Sequence, residues 1–178
     1  MARHIVLLRG INLPRHKRIS MPELRAALED AGFDDVRTYV QSGNVVLSSR
    51  AAPKTIAGKV ERAIESGFEL DVDVVVRTRD ELADVVARDP FGKLVSDPKR
   101  FQVTFLATKA DKDVLAKLEA SAAGGEKLVA SGRELYSWHP NGIGRSKLAA
   151  LLGGPRLGVT ATARNWTTVT TLLALADE

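Results

Sequence analysis

Val36-Arg37-Thr38-Tyr39-Val40-Gln41-Ser42-Gly43-Asn44-Val45-Val46-Leu47-Ser48 is the stretch on which the fold turns. Val36, Thr38 and Val40 alternate with Arg37 and Tyr39, the period-two pattern of a half-buried strand. Gln41-Ser42-Gly43-Asn44 concentrates turn-forming residues, and Val45 to Ser48 returns as the hairpin partner. On the upstream side, Met21, Leu24, Leu28 and Ala31 repeat at helical spacing. Ser20 can cap that helix, with Glu23 three residues later and Pro22 tolerated in the first turn, and Gly32 ends it. Still earlier, Arg3 to Leu8 reads as a strand that is apolar on both faces, which suits a central position in a sheet. On the downstream side, Ile56, Val60 and Ile64 form one stripe of a second helix, and Val72, Val74 and Val76 alternate as a fourth strand. The order is β-α-β-β-α-β, a ferredoxin-like unit.

The same order repeats. Phe101, Val103 and Phe105 mark a strand, and Val114, Leu115 and Leu118 a helix. Leu128 to Ala130 and Leu135 to His139 flank a second hairpin turn, Ser131-Gly132-Arg133-Glu134. Arg145 to Leu152 reads as a short helix and Val159 to Ala163 as a last strand. Both hairpins carry Ser-Gly at the turn, Ser42-Gly43 and Ser131-Gly132, which supports duplication. Thr78 and Glu81 open a connecting helix that Pro90 stops, and Asn165 caps a C-terminal helix from Trp166. The expected architecture is α+β, with two ferredoxin-like subdomains in tandem. Residues 1–78 form the first subdomain, 79–99 the helical connector, and 100–178 the second subdomain with the C-terminal helix.

With 178 residues, 44% of them hydrophobic and 27% charged, the chain can bury a core and has no signature of disorder. It has no cysteine, which excludes disulfides, thiolate nucleophiles and cysteine-based metal sites and points to the reducing cytoplasm. Ile5-Val6-Leu7-Leu8 is too short for a signal peptide, and no run approaches the roughly 20 apolar residues of a membrane span. The net charge is +4 and the isoelectric point about 9.5. Three stretches hold no Asp or Glu: Met1 to Pro22, Val36 to Val60 and Leu135 to Ala176. Such segregation can raise the local concentration of anions.

Four segments carry the candidate chemistry. Arg9, Gly10 and Asn12 stand at the end of the first strand and lead into the basic loop Arg15-His16-Lys17-Arg18. They suit a bidentate anion contact and a plain strand-to-loop turn equally. Gln41, Ser42 and Asn44 offer uncharged donors and acceptors on a turn that a hairpin needs in any case. Asn141-Gly142-Ile143-Gly144-Arg145-Ser146-Lys147 places glycines and cations before a short helix, without the spacing of a P-loop or a dinucleotide fingerprint. In Ala163-Arg164-Asn165-Trp166, Trp166 reads as a packing anchor and Asn165 as a helix cap, leaving Arg164 as a candidate ligand contact.

In this order, Leu7-Leu8-Arg9-Gly10-Ile11-Asn12, Tyr39 to Val46, Asp89-Pro90-Phe91, Val103 to Leu106, Gly142 to Leu148 and Thr162 to Trp166 resemble the bacterial family named domain of unknown function 1697. The resemblance spans nearly the whole chain. It implies two ferredoxin-like subdomains and no established activity. One departure is local: the family usually has glycines soon after its Arg-Gly-Ile-Asn, where this chain has Leu13-Pro14-Arg15-His16.

His4, His16 and His139 have no metal-ligand spacing, and no Gly-x-Ser-x-Gly elbow or acid pair suited to acid/base work occurs. No catalytic residue, metal or cofactor is assigned, and nothing specifies an oligomeric state. The expected function is binding of a small anionic ligand, phosphorylated or nucleotide-like, in a basic cleft between the subdomains. Its residues would be Arg9, Asn12, Gln41, Ser42, Asn44, Arg145, Ser146, Lys147 and Arg164. Two alternatives stand beside it. One is a single-stranded nucleic-acid module using Tyr136, Trp138 and Tyr39, which the aromatic content of 5% does not favour. The other is a scaffold or interaction domain. No membrane partner is expected.

Overall fold

The computed structural model describes residues 1–14 and 18–178. The chain is mixed α+β, with two four-stranded antiparallel sheets and, among the described residues, six α-helices. It divides into two compact units, Met1–Asp84 together with Thr171–Glu178, and Val85–Thr170.

The first unit starts with β1 (Ala2–Leu8), whose residues Ile5 to Leu8 are at most 1% exposed, so both of its faces are buried. Ser20 then caps α1 (Met21–Asp30) by accepting from the Glu23 amide at 3.2 Å. Strands β2 (Asp34–Tyr39) and β3 (Asn44–Ser49) form the hairpin, α2 (Pro53–Phe68) runs for 16 residues, and β4 (Val74–Thr78) completes the sheet. The strand order is β2-β3-β1-β4. Leu24, Leu28, Ile56, Val60 and Ile64 from the two helices pack with Val6, Leu8, Val45 and Leu47 from the sheet, which is why the apolar stripes and the strand alternation point the same way. The β2–β3 register slips between Asp34 and Arg37. Asp35 stands there at φ 49°, and its carboxylate pairs with Arg3 at 2.5 Å and Arg37 at 3.2 Å.

Helix α3 (Arg79–Arg88) starts with a reciprocal capping box, in which the Glu81 amide donates to the Thr78 hydroxyl at 3.1 Å and the Thr78 amide to the Glu81 carboxylate at 2.8 Å. The unit boundary falls inside this helix.

The second unit repeats the plan with β5 (Phe101–Leu106), α4 (Lys112–Ser121), β6 (Lys127–Ser131), β7 (Glu134–Trp138), α5 (Lys147–Leu152) and β8 (Ala161–Asn165). Its strand order, β6-β7-β5-β8, is the same by position. The last strand starts two residues later than the alternation predicts, because Pro155–Leu157 forms a short 3-10 turn and Gly158 follows at φ 77°. Pairing with β5 therefore begins only at Ala161, opposite Leu106. Trp166 stacks on Phe101 with centroids 4.4 Å apart, and Phe91 meets the edge of the same ring at 5.2 Å. The Tyr136 hydroxyl donates to the Val85 carbonyl at 2.8 Å. Burial, followed by the negative charge of Glu134, pushes that hydroxyl up to about 12.

Helix α6 (Trp166–Asp177) begins in the second unit, where the Thr168 amide donates to the Asn165 side chain at 2.9 Å. Its residues from Thr171 onward belong to the first unit. There Asp177 accepts from Arg79 Nε at 2.6 Å, and Glu178 pairs with Arg37.

The helical layers of the two units differ in one respect. Where the first unit has α2, the second has α5, only 6 residues long. At about 1.5 Å per residue, that is roughly 9 Å of helix in place of 24 Å. Gly153-Gly154-Pro155 explains the stop: two poor helix formers precede a residue that lacks an amide hydrogen and forces Gly154 into an extended conformation at ψ 170°.

Candidate functional site

In the first unit, the candidate residues lie around the end of β1 and the hairpin turn. The Arg9 amide donates to the Asp73 carbonyl at 2.9 Å, and its guanidinium lies 4.0 Å from the Asp73 carboxylate. Asn12, at φ 55°, spends its amide on the backbone: it donates to the Ile19 carbonyl at 3.0 Å and the Gln41 carbonyl at 2.7 Å, and accepts from the Ile19 amide at 2.7 Å. Asn44 is wholly buried and donates to the Tyr39 carbonyl at 3.1 Å and the Ser42 hydroxyl at 3.0 Å. Gly43 is required between them. It sits at φ 80°, and a Cβ there would come within 2.7 Å of the Leu8 Cβ. Gln41 is exposed. This end of the sheet thus brings Arg9, Asn12, Gln41, Ser42 and Asn44 together, with the two asparagines committed to holding the loop and the turn. Arg15, His16 and Lys17 of the expected basic loop lie outside the described residues.

In the second unit, Ser146 is the cap of α5 and the hub of a buried network. Its hydroxyl accepts from the Ala149 amide at 3.0 Å and donates to the Glu126 carboxylate at 2.5 Å. The His139 ring is unexposed, with Nδ1 2.6 Å from the same carboxylate and Nε2 2.8 Å from the Ser137 hydroxyl. A carboxylate only accepts, so Nδ1 carries the proton. Burial alone would push the Glu126 carboxyl up, but hydrogen bonds from Ser146, His139 and the Ala123 amide, together with charge on His139, hold it below the ordinary glutamate value. The set Ser137, His139 and Glu126 has the connectivity of a hydrolytic relay. The Ser137 hydroxyl is wholly buried, however, and Ser146 is bonded directly to the carboxylate, so the network clamps the loop from Pro140 to Arg145 rather than exposing a nucleophile.

Arg164 is 9% exposed on β8 and donates to the Thr162 hydroxyl at 2.5 Å and the Ala163 carbonyl at 2.9 Å. Burial pulls its guanidinium down to about 10. Arg164 is thus held within the unit by its own strand.

Beside the clamp, the short α5 leaves a cavity of about 580 Å³ against α4. Its floor is Val114, Leu118, Leu151 and Leu157, and its cations are Lys117, Lys147 and Arg156. Val114, Lys117, Leu118 and Ser121 fall on one face of α4 at spacings of three and four residues. A neighbouring cavity of about 250 Å³ shares Ser121 and Lys147 and adds Asn141, Arg145 and Ser146, with Glu126 on its wall. Among the described residues Lys117, Arg145, Lys147 and Arg156 are in no ion pair. Nor, among the described residues, is any group of three or more His, Asp or Glu gathered to hold a metal, and no helix is long and apolar enough to cross a membrane.

The family described as "Protein of unknown function (DUF1697)" matches residues 1–136, more than three quarters of the chain. The chain belongs to this family. Among solved structures it is similar to the conserved bacterial protein SP0830 from Streptococcus pneumoniae, with 21% identity, 98% of each chain covered and a TM-score of 0.80. At that identity the likeness is one of fold. No curated protein matches the chain.

Within the DUF1697 match lie Lys117, Glu126 and the whole first-unit loop cluster, whereas Lys147 and Arg156 fall beyond residue 136. Sequence reasoning singled out Arg145, Ser146 and Lys147 but missed Lys117, Arg156, Glu126 and His139. A lysine inside the apolar stripe of α4 was the available signal for Lys117. The Glu126–His139 pair bridges 13 positions across a hairpin and left no local pattern to find.

Proposed function

We propose that the second unit binds a small anionic ligand, phosphorylated or nucleotide-like, at the cavity between α4, α5 and the 3-10 turn. The carrying observation is that Lys117, Lys147 and Arg156 line this one cavity without an ion-pair partner among the described residues. Three cations gathered around one partly apolar cavity attract an anion more strongly than the same charges spread over open surface. No carboxylate lines the larger cavity among the described residues. Glu126, on the smaller one, has its carboxylate engaged by the Ser146 hydroxyl and the His139 ring.

The matching strand orders, β2-β3-β1-β4 and β6-β7-β5-β8, support reading both units as ferredoxin-like. The absence of cysteine supports a cytoplasmic setting. The small-ligand reading is preferred to nucleic-acid stacking because Tyr136 and Trp138 are 1% and 4% exposed, which withholds both rings from bases.

The test is a thermal-shift titration with inorganic phosphate, sugar phosphates and nucleotides. A ligand at a hundred times its Kd stabilises by about 2.7 kcal/mol, a rise of roughly 5–10 °C for a chain of this size. The rise should shrink with added salt and vanish in Lys147→Glu/Arg156→Glu, while Lys54→Glu on α2 retains it. A double variant that responds like the wild type, or a panel with no response, overturns the proposal.

A further inference from the structure

The cations at this cavity belong to its walls, but its floor belongs to the core. Leu118 and Leu157 are 4% and 2% exposed and sit in the second unit's apolar cluster, and Val114 and Leu151 pack against that cluster half-buried. In the first unit the corresponding flank of the sheet is covered by α2, whose Ile56, Val60 and Ile64 are wholly buried. The second unit has replaced that cover with six residues of helix and a glycine-glycine-proline stop, and beside it Val114 and Leu151 stay only half-buried, apolar surface that a ligand can cover. A cavity of about 580 Å³ exceeds what a bare inorganic anion fills and falls within the range of pockets that take drug-sized molecules.

We infer that the ligand is an amphiphilic phosphate monoester: a compact aliphatic or aromatic body seated on Val114, Leu118, Leu151 and Leu157, with its phosphate among Lys117, Lys147 and Arg156. This rests on the anion site proposed above and adds the identity of the other half of the ligand. Three cations favour a doubly charged phosphate head over a singly charged carboxylate. The apolar floor favours a body that has no hydrogen-bonding demands of its own, because a polar base or sugar placed there would leave its groups unpaired. The apolar body supplies affinity by the area it removes from water, and the head fixes its orientation.

The experiment is a binding series on the full chain followed by NMR, with methyl-labelled Val and Leu, using inorganic phosphate, butyl phosphate, hexyl phosphate, hexanoate and 1-hexanol. Hexyl phosphate should bind tightest and gain about fourfold for each methylene over butyl phosphate, with hexanoate and hexanol both weaker. The largest methyl shifts should fall on Val114 and Leu151. Leu151→Gln should erase the chain-length dependence, and Lys147→Glu should weaken every anion. The NMR spectrum of each variant reports whether it is folded. If inorganic phosphate binds as tightly as hexyl phosphate, the amphiphile inference fails and the anion site stands. If hexanol binds as tightly as hexyl phosphate, the anion site itself fails. Shifts elsewhere, or no binding by any probe, overturn both.

Discussion

Replacing Asn12 separates two roles that its sequence position leaves open, a contact for ligand and a clamp for the loop that follows β1. In the structure its side chain makes three hydrogen bonds to backbone, two partly buried ones to Ile19 and an exposed one to the Gln41 carbonyl. The Ile19 bonds contribute about 1 kcal/mol each and the exposed one less. The residue also stands at φ 55°, where asparagine is tolerated and alanine costs about 1 kcal/mol more. Asn12→Ala should therefore destabilise the first unit by about 3 kcal/mol. Asn12→Gly, which removes the same bonds but not the backbone freedom, should be about 1 kcal/mol less severe. Both tryptophans, Trp138 and Trp166, lie in the second unit, so urea unfolding should be followed by far-ultraviolet circular dichroism rather than fluorescence. If both variants lose less than about 0.5 kcal/mol, the amide is not holding the loop, and the clamp reasoning is wrong.

Two further outcomes follow from the same kind of accounting. Glu126 has a folded-state pKa below its ordinary value, so the stability it contributes is present above the ordinary glutamate range and is lost as pH falls through the lower, folded value. Glu126→Gln should cost about 1–3 kcal/mol at pH 7, and its deficit relative to wild type should narrow between pH 5 and pH 3; a constant deficit in denaturation midpoints across that window would contradict the network. Gly43→Ala combines an unfavourable φ with a 2.7 Å approach to the Leu8 Cβ, and should destabilise by about 2–4 kcal/mol in the same unfolding assay, whereas Gly132→Ala, with nothing within 4 Å, should cost only the backbone part.

The fold was readable where local chemistry and tertiary packing agree. Ser20 with Glu23, Thr78 with Glu81, and Asn165 each cap the helix their spacing predicts, and the apolar residues of α1 and α2 face the same core as Val45 and Leu47 of β3 and Val74 and Val76 of β4. The start of β8 was misplaced because Val159 and Thr160 have strand-like side chains but precede the first residue that can pair with β5. The site was only half readable. Arg145-Ser146-Lys147 announce themselves as a contiguous polar segment. Lys117 and Arg156 join Lys147 only because α5 is too short to cover the sheet, a property of three-dimensional filling rather than of neighbouring letters. An amide side chain such as Asn12 or Asn44 likewise has the same identity whether it faces a ligand or its own backbone, and only the folded geometry tells the two apart.

Helix α6 gives this chain an order of assembly. The first unit is not a continuous piece of polypeptide: Asp177 and Glu178 supply partners to Arg79 and Arg37, and those partners are encoded after the whole second unit. On a ribosome the hairpin, both helices and the sheet of that unit can form early, as N-terminal segments generally do. They must then wait, with Arg79 and Arg37 unmatched by these two acids, until the whole second unit has been synthesised. Completion of the first half is thereby timed by translation of the second, and a message truncated before residue 171 would release a first unit lacking its final helical segment.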